Sequence, residues 1–199
     1  MDMEDFVRLV GVRLKEARSE RGWTLDHLAA VSGVSRRMLV NVERGETNPS
    51  IATLLRLSDA LGVGLPALVE PPHSEPVRVT LAGSGAVLWQ GEQGGRALLV
   101  AGTEPPNVGE LWDWTLGAGD RYASDPHAAG TRELLQVQEG TVLLQAAGQS
   151  VTLAAGDAAA FAGDVPHSYS EVDGKAARFS LAVFEPGVGP ASSKGAAGA

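Results

Sequence analysis

The sequence predicts two domains, an all-α domain followed by an all-β domain, and two observations support that prediction. Apolar residues recur at helical spacing over residues 6–69. Over residues 77–184 the apolar period becomes two, in short runs separated by glycine turns, which is typical of a β-sandwich or barrel. A proline-rich stretch over residues 71–76 separates the two patterns and predicts a linker, because proline stops helices and favours extended chain.

These patterns also set the expected boundaries. We expect a helical domain over residues 1–70, the linker over 71–76, a β domain over 77–185 and a disordered tail over 186–199, where small and polar residues dominate. The alternating runs of the β domain predict strands over residues 77–81, 96–101, 111–116, 133–138, 141–145 and 178–184.

The composition is that of a folded protein. Of the 199 residues, 44% are hydrophobic and 20% are charged, which is enough apolar material for a sizeable core. The chain has no cysteine, and this excludes a disulfide scaffold, a thiolate metal site and a cysteine nucleophile. No segment is apolar for long enough to cross a bilayer, and the N-terminus is acidic where a secretory signal would be basic. We therefore expect a cytoplasmic protein, and the abundance of alanine and glycine with few lysines fits a bacterial, GC-rich genome.

The net charge of -8 is distributed unevenly. Residues 1–70 hold nine Lys or Arg and ten Asp or Glu, whereas residues 71–199 hold seven and fourteen. The acidity therefore belongs to the β half, and the helical half can carry a local basic patch that binds nucleic acid.

Residues 24–35 carry the start and stop signals of two short helices joined by a tight turn. Thr24 can cap a helix that begins at Leu25, because its hydroxyl accepts a hydrogen bond from an N–H that the first turn leaves unpaired. Gly33 suits the left-handed residue that ends this helix, and Ser35 can cap the next one. Two helices joined in this way form a helix-turn-helix, whose second helix can enter the major groove of DNA.

The second of these helices presents two different faces. Leu39 and Val42 must face the core. Arg36, Arg37 and Asn41 then lie on the opposite, outward face, near the N-terminal end of the helix. Arginine matches the acceptors of guanine and asparagine can pair with adenine, so these residue types suit a recognition helix. Taken alone, the same face would also fit the solvated surface of a helical bundle.

The order of short motifs along the helical half decides between these two interpretations. The motifs are Leu28-Ala29, Ser32-Gly33-Val34-Ser35, Glu43-Arg44-Gly45, Asn48-Pro49-Ser50 and Leu61-Gly62-Val63. With them, residues 6–69 resemble the phage-repressor-like XRE family of helix-turn-helix domains. The resemblance implies a five-helix, lambda-repressor-like domain that binds double-stranded operator DNA.

The same resemblance implies roles for individual residues. It places DNA contacts at Thr24, Arg36, Arg37, Asn41, Arg44 and Thr47. Arg36, Arg37 and Asn41 would read bases, and the remaining three would lie close to phosphate. Arg18 and Glu43 match a pair that forms an internal ion bridge in such domains, which implies a structural role for both.

One acidic residue of the β half falls on a predicted core face. In the alternating run that contains Leu135 and Val137, those two residues belong on the core face, which puts Glu133 there as well. An inward carboxylate is costly unless it is paired, hydrogen-bonded or bound to a metal. Glu133 is therefore a candidate site residue on the strength of the pattern alone.

Glu133 also belongs to a longer pattern of histidines and glycines. Its members are His127, Glu133, Gly140, Gly156 and His167. Over roughly residues 77–185 this pattern resembles the two motifs of the cupin superfamily, which are small β-barrels of jelly-roll type. The first motif contains Gly, His-x-His, Glu and Gly in order, and the second contains Gly, Pro, Gly, His and Asn.

This chain departs from those motifs at several positions. Ala129 replaces the second histidine of the first motif, and Gly119 lies two residues too far upstream. In the second motif, Ala162, Asp164 and Glu171 replace the proline, the glycine and the asparagine. Of the three histidines and one glutamate that hold a metal in cupins with full motifs, the second histidine is thus missing.

The resemblance leaves His127, Glu133 and His167 as candidate metal ligands. Two imidazoles and a carboxylate can hold Fe(II), Mn(II), Ni(II) or Zn(II) with positions left open. Because one ligand is missing, we expect no tightly bound metal. Instead Glu133 and His167 would make hydrogen bonds in a metal-free effector pocket, with His127 on a loop in solvent.

Three aromatic residues are further candidates for the effector pocket. Trp112 and Trp114 share one face of a predicted strand, and Tyr169 follows His167 at the strand period. The tryptophans could stack on a ligand at the barrel mouth, and core packing or dimer contacts are equally open alternatives.

Together, the two resemblances imply a transcriptional regulator, by family analogy a repressor, whose cupin domain binds a small-molecule effector and forms a homodimer. A dimer is expected because one helix-turn-helix contacts only a few base pairs. The linker over residues 71–76 would be the hinge between the domains. Two alternatives remain open: a metal-dependent cupin enzyme fused to a DNA-binding domain, and a barrel that serves only for dimerisation.

Overall fold

The structure, a computed structural model, describes residues 3–70, 77–105 and 107–188. Within the described residues, five helices are followed by ten strands in two antiparallel sheets, which confirms the predicted order of an all-α domain followed by an all-β domain. The helices are α1 (Met3–Glu20), α2 (Leu25–Ser32), α3 (Arg36–Glu43), α4 (Ile51–Leu61) and α5 (Leu65–Val69). The strands are β1 (Ala86–Gln90), β2 (Arg96–Gly102), β3 (Val108–Leu116), β4 (Arg121–Ser124), β5 (Arg132–Glu139), β6 (Thr141–Ala146), β7 (Gln149–Ala154), β8 (Ala158–Ala162), β9 (His167–Glu171) and β10 (Ala177–Glu185).

The expected linker over residues 71–76 and the part of the expected tail from residue 189 onward lie outside the described residues. Residues 186–188 continue from β10 into a turn. Within the described ranges, no helix is long and apolar enough to span a membrane.

The predicted helix-turn-helix signals are confirmed residue by residue. Thr24 directly precedes α2, and its hydroxyl accepts a hydrogen bond from the backbone N–H of His27 at 3.1 Å. Gly33 ends α2 in the left-handed conformation, with φ of 67°. The Ser35 hydroxyl then caps α3 by accepting from the N–H of Met38 at 3.2 Å.

The predicted ion bridge of the helical domain is also present. Arg18 donates from Nε and Nη2 to the two carboxylate oxygens of Glu43, at 2.6 and 3.0 Å, and from Nη1 to the carbonyl oxygen of Trp23 at 2.7 Å. Only 14% of the Arg18 side chain and 9% of the Glu43 side chain are exposed. The pair joins α1 to the end of α3 and leaves the guanidinium well satisfied.

The β domain is a two-sheet barrel. One sheet has the strand order β1-β2-β3-β10-β5-β8, and the other has β4-β9-β6-β7. Along β3, β5 and β10 buried and more exposed residues alternate, so one face of each strand points into the barrel. The interior is filled mainly by aromatic and branched side chains, including Trp114, Phe179 and Tyr169.

Five of the six predicted strands are present, and one prediction was wrong. Residues 77–81 form no strand, although apolar residues alternate there. Their Val77, Val79 and Leu81 side chains are each more than 70% exposed. An alternating segment forms a strand only when a neighbouring strand pairs with it. Here β1 is the edge strand of the sheet, and residues 77–81 do not pair with it.

The helical domain packs directly on the β domain. Arg78 forms an ion pair with Glu70, just after α5, and donates to the carbonyl oxygen of Gly102 on β2 at 2.9 Å. A side chain at Gly102 would collide with Pro66 of α5. A Cβ at Gly64 would come within 2.7 Å of Val108 on β3. The contact between the domains is therefore close and specific.

Candidate functional site

The proposed base-reading residues lie on the exposed face of α3. Arg36 and Arg37 are exposed and Asn41 is half-buried, while Leu39 and Val42 on the other side of the helix are fully buried. The Nε of Arg36 lies 2.9 Å from an oxygen of Asp26 in the first turn of α2. Sequence reasoning missed Asp26, although an acidic residue in the first turn of a helix is a recognisable signal.

The three expected phosphate contacts lie around the recognition helix. Thr24 is exposed, although its hydroxyl is already engaged in the cap of α2. Arg44 is exposed, follows the last residue of α3 and lies 3.9 Å from Glu46. Thr47 is half-buried in the loop that leads to α4. Among these three, Arg44 therefore offers the cationic group.

The structure brings all six expected effector-pocket residues together around one cavity in the barrel. They are Trp112, Trp114, His127, Glu133, His167 and Tyr169. The cavity is narrow, about 20 Å³ of space for the centre of a water-sized group, which is room for roughly one water molecule or ion. Any larger ligand must displace side chains.

Two histidines and one glutamate converge inside this cavity. Nε2 of His127 lies 3.1 Å from Oε1 of Glu133, and Nε2 of His167 lies 3.2 Å from the same oxygen. Nδ1 of His167 lies 2.8 Å from the carbonyl oxygen of Val165, a contact that orients the imidazole with Nε2 inward. The hydroxyl of Tyr169 donates to the other oxygen of Glu133.

His127 lies on a loop, as expected, but it is not in solvent. Its side chain is only 11% exposed, and its backbone N–H donates to the carbonyl of Gly163 at 3.0 Å. The loop turns inward because this hydrogen bond fixes it against the end of β8. Ala129, where the cupin motif has a second histidine, is exposed.

The charges of this cluster depend on one another. Burial by itself would raise the pKa of Glu133, but hydrogen bonds from His127 and His167 and their positive charge lower it to about 2. Burial opposes protonation of His167, yet the hydrogen bond to Glu133 and its charge raise the pKa of this imidazole overall. The cluster therefore favours an ionised Glu133 beside a His167 imidazole that is more readily protonated than usual.

The two tryptophans are buried in the interior of the barrel. Trp112 and Trp114 are 4% and 2% exposed, and their ring centroids lie 6.1 Å apart. Trp114 stacks on Phe179 at 5.7 Å with an interplanar angle of 7°. Trp114 thus belongs to the packed core, whereas Nε1 of Trp112 donates to Oε2 of Glu110 at 2.9 Å.

Several cavity residues escaped sequence reasoning. Glu110 lies on the inward face of β3, and the alternation that places Trp112 and Trp114 on one face would have found it. Ile51 and Leu55 line the cavity from α4, in the helical domain. No local pattern reveals these two, because their position depends on how the two domains pack.

Comparison with protein families matches both halves of the chain. Residues 14–68 match the helix-turn-helix family, and residues 112–184 match the cupin domain family. Each match lies within one of the domains described above.

Individual relatives extend the match over nearly the whole chain. The HTH-type transcriptional regulator SutR of Escherichia coli is 29% identical over 187 residues, which are 92% of this chain and 99% of that protein. The HTH-type transcriptional regulator y4dJ of Sinorhizobium fredii is 40% identical over 72 residues, 36% of this chain and 94% of that protein. A crystal structure of an HTH_3 family transcriptional regulator from Vibrio cholerae aligns with a TM-score of 0.72 and 28% identity, covering 92% of this chain and 98% of that one.

The helix-turn-helix geometry, the barrel and these relatives agree with one another. The chain belongs to the HTH-type transcriptional regulators, with an XRE-type DNA-binding domain followed by a cupin domain.

Proposed function

We propose that this regulator changes its affinity for operator DNA when a metal ion or small effector enters the barrel, and that helix α4 transmits the change. The observation that carries this proposal is the shared cavity. Ile51 and Leu55 of α4 line the same space as His127, Glu133 and His167 of the barrel. A ligand at the three barrel residues is therefore in position to affect the DNA-binding domain.

The donor geometry supports a divalent metal at His127, Glu133 and His167. Two ligands bonded to one ion at ~2.0–2.2 Å lie roughly 2.8–3.6 Å apart, depending on whether the angle between them is square or tetrahedral. The two imidazole Nε2 atoms lie 3.1 and 3.2 Å from Oε1 of Glu133. That oxygen is buried and makes no hydrogen bond of normal geometry within the described residues.

The three donor atoms lie within 4.8 Å of one another, close enough to hold an ion such as Fe(II), Mn(II), Ni(II) or Zn(II), and we propose metal binding here in place of the metal-free pocket that the missing histidine suggests. A bound ion would act as a Lewis acid, with open positions for an oxygen or nitrogen atom of an effector. Tyr169 and the carbonyl of Val165 would hold the carboxylate and one imidazole in place.

Transmission through α4 follows from what this helix touches on its other side. Leu54 and Leu57 of α4 are fully buried in the same core as Leu28 of α2 and Leu39 of α3. Close-packed cores pass a displacement on to their neighbours. A ligand that displaces Leu55 would therefore shift the helix-turn-helix, in place of the hinge motion expected over residues 71–76.

We assign base reading to Arg36, Arg37 and Asn41, with Arg44 as the main cationic phosphate contact. All the side chains of this set are at least partly accessible on one face of the domain. The Arg36–Asp26 ion pair must open for Arg36 to donate to guanine. Asp26 and guanine therefore compete for Arg36, and the presence of Asp26 lowers the affinity for DNA.

We also propose a homodimer that forms through the outer face of the six-stranded sheet. Leu111, Leu134 and Phe184 lie on neighbouring strands of that face and are each about half exposed. Arg78 of the exposed apolar segment 77–81 donates to the carbonyl oxygen of Gly102, and Gly102 lines the same groove as these three residues. Exposed apolar surfaces of this kind mark interaction sites, and a second copy would supply the second recognition helix, ~34 Å away.

The dimer can be tested by sedimentation velocity. We expect Leu134→Glu to give a monomer with unchanged thermal stability, whereas Val151→Glu, a matched change at an exposed position on β7, leaves the dimer intact. A Leu134→Glu protein that sediments as the wild type would contradict the assignment of this face.

By analogy with its relatives we propose repression, with the operator released when the barrel is loaded. A second candidate function is catalysis, and the triad of two imidazoles and one carboxylate favours it, because this set leaves coordination positions open. Turnover of a small substrate by the metal-loaded protein would support it. The narrowness of the cavity argues against ready entry of such a substrate.

The proposed regulation is tested on operator DNA selected from random duplexes by the full-length protein. Fluorescence anisotropy would measure Kd for the metal-loaded and the chelator-treated protein. We expect a change of about tenfold or more, the size of a typical coupling free energy. His167→Ala should abolish the change, and Gln136→Ala, an outward-facing control on β5, should keep it. Equal Kd values with and without metal would refute the regulation.

A further inference from the structure

Three inward-facing glutamates gather at one end of the barrel. Val183 of β10 is paired with Glu110 of β3 on one side and with Glu133 of β5 on the other. Glu185 lies two residues beyond Val183 and therefore points to the same face. The exposed fraction of each glutamate is at most 4%.

All three have a buried carboxylate oxygen that makes no normal hydrogen bond among the described residues, and only at Glu133 do imidazoles lie beside that oxygen. Glu133 contacts His127, His167 and Tyr169. Glu110 accepts one hydrogen bond at Oε2, and its Oε1 is buried without a partner among the described residues. Oε2 of Glu185 is likewise buried without a hydrogen-bond partner among the described residues. Such oxygens are rare in native structures and call for an explanation.

Glu110 lines the cavity, where the cationic side chains among the described residues are limited to the two imidazoles. No lysine or arginine lines it within the described ranges, and both imidazoles are directed at Glu133. Burial, together with the charge of Glu185, raises the pKa of Glu110 to about 8. Burial and the nearby acidic groups raise the pKa of Glu185 as well. The protein alone therefore leaves this end of the barrel short of positive charge.

We propose that Glu110, supported by the charge of Glu185, binds the protonated nitrogen of an amine or guanidinium effector. This inference rests on the proposed effector role of the barrel and names the chemical class of the ligand. An ammonium group is about the size of a water molecule, so it fits the cavity that Glu110 lines, where it would take the place of a metal ion. Its N–H donors would satisfy the unpaired Oε1 of Glu110.

The proposal also explains how an effector would move α4. The space holds the cationic group but not an attached alkyl chain. Such a chain must push aside Ile51 and Leu55, the two α4 residues that line the cavity. Amines with a chain should therefore weaken operator binding more than the bare ammonium ion does.

The experiment uses the full-length protein and three probes of similar size, n-butylamine, butyrate and n-butanol. Thermal shift and calorimetry would measure binding at fixed pH and ionic strength. We expect saturable binding of butylamine only. Glu110→Gln should weaken it about tenfold or more, and Glu139→Gln, an exposed control on β5, should leave it unchanged. If Glu110→Gln fails to fold, Glu185→Gln takes its place.

The outcomes separate this inference from the proposed function. Butylamine binding no stronger than that of butanol or butyrate, or binding unaffected by Glu110→Gln, would overturn the cation site. If metal still alters operator affinity in that case, the proposed regulation survives. If butylamine binds through Glu110 but neither metal nor amine changes operator affinity, the cation site stands and the regulation fails.

Discussion

The helical domain and the barrel both bury charged side chains, but they neutralise them differently. In the helical domain, Arg18 and Glu43 form two hydrogen bonds to each other, and the guanidinium donates a third to Trp23. In the barrel, Glu110 and Glu185 each keep an unpaired oxygen among the described residues. The Arg18–Glu43 pair finds all its hydrogen-bond partners within the chain. We interpret the two glutamates of the barrel as groups whose partner is a bound ligand.

The comparison shows how burial can separate a structural charge from a functional one. A buried ion pair with full hydrogen bonding holds two helices together and needs nothing from outside. A buried carboxyl group without a partner costs free energy in the unliganded protein, and that cost is recovered when a cation binds. The four predictions that follow challenge or refine this contrast, beginning with the largest expected effect.

Removing one partner of the complete ion pair should have the largest effect. Arg18→Ala leaves the Glu43 carboxylate nearly buried without its partner, and we expect a loss of about 3–5 kcal/mol in the stability of the helical domain. Urea unfolding followed by the helical circular dichroism signal measures it. Arg8→Ala, an exposed change on the same helix, is the control. Unchanged unfolding of Arg18→Ala would show that the pair contributes no stability.

The incomplete cluster should make the barrel less stable as the pH rises. The pKa of Glu110 is raised to about 8 in the folded protein, so between about pH 4.5 and 8 the native state keeps a proton that the unfolded chain loses. This proton stabilises the native state at low pH. The free energy of unfolding should therefore fall by roughly 2–4 kcal/mol as the pH rises through this range. The groups facing Glu110 are Glu185, Glu133 and Glu70.

Thermal unfolding between pH 5 and 8.5 tests this prediction. The Tm of the barrel should fall across this range in the wild type and fall less in Glu110→Gln. An equal pH dependence in both proteins would mean that Glu110 titrates normally and that the barrel cluster is not short of positive charge.

Substitutions on the recognition helix should affect DNA binding and leave both buried clusters alone. Arg36→Ala or Arg37→Ala should cost ~1–3 kcal/mol in specific binding without a change in Tm. Anisotropy with specific and scrambled duplexes measures the loss. Arg8→Ala again serves as the control. A loss that is equal on both duplexes would reassign the residue from base reading to phosphate contact.

How far the sequence predicts the molecule differs between the two domains. In the helical domain, caps and turns are local signals, so the roles of Thr24, Gly33 and Ser35 follow from neighbouring residues and are confirmed. In the barrel, alternation predicts the face of a residue but not its partner strand, which is why the prediction of a strand over residues 77–81 was wrong.

The candidate site was predictable in part for the same reason. The motif positions brought His127, Glu133 and His167 together correctly. The alternation that identified Glu133 also predicts that Glu110 faces inward, so Glu110 was predictable from the sequence. The position of Leu55 at the cavity was not predictable, because it depends on how the helical domain packs against the barrel.

The smallest predicted effect concerns the ion pair at the DNA-binding face. Asp26→Asn should strengthen operator binding by up to ~1 kcal/mol, because Arg36 no longer has to leave an exposed partner. The effect should shrink at high salt. Glu16→Gln, on the outer face of α1, is the matched control. Weaker binding by Asp26→Asn would show that the pair orients Arg36 for DNA and does not compete with it.

The central claim is that His127, Glu133 and His167 of the barrel, unlike the ion pair of the helical domain, are completed by a metal ion from outside the chain. Elemental analysis of the purified, untagged protein tests it most directly, together with His167→Ala and the control Gln136→Ala. The account predicts about one equivalent of a divalent transition metal in the wild type and the control, and its loss in His167→Ala. The absence of metal from all three proteins, even after incubation with Mn(II), Fe(II), Ni(II) and Zn(II) salts, would contradict it.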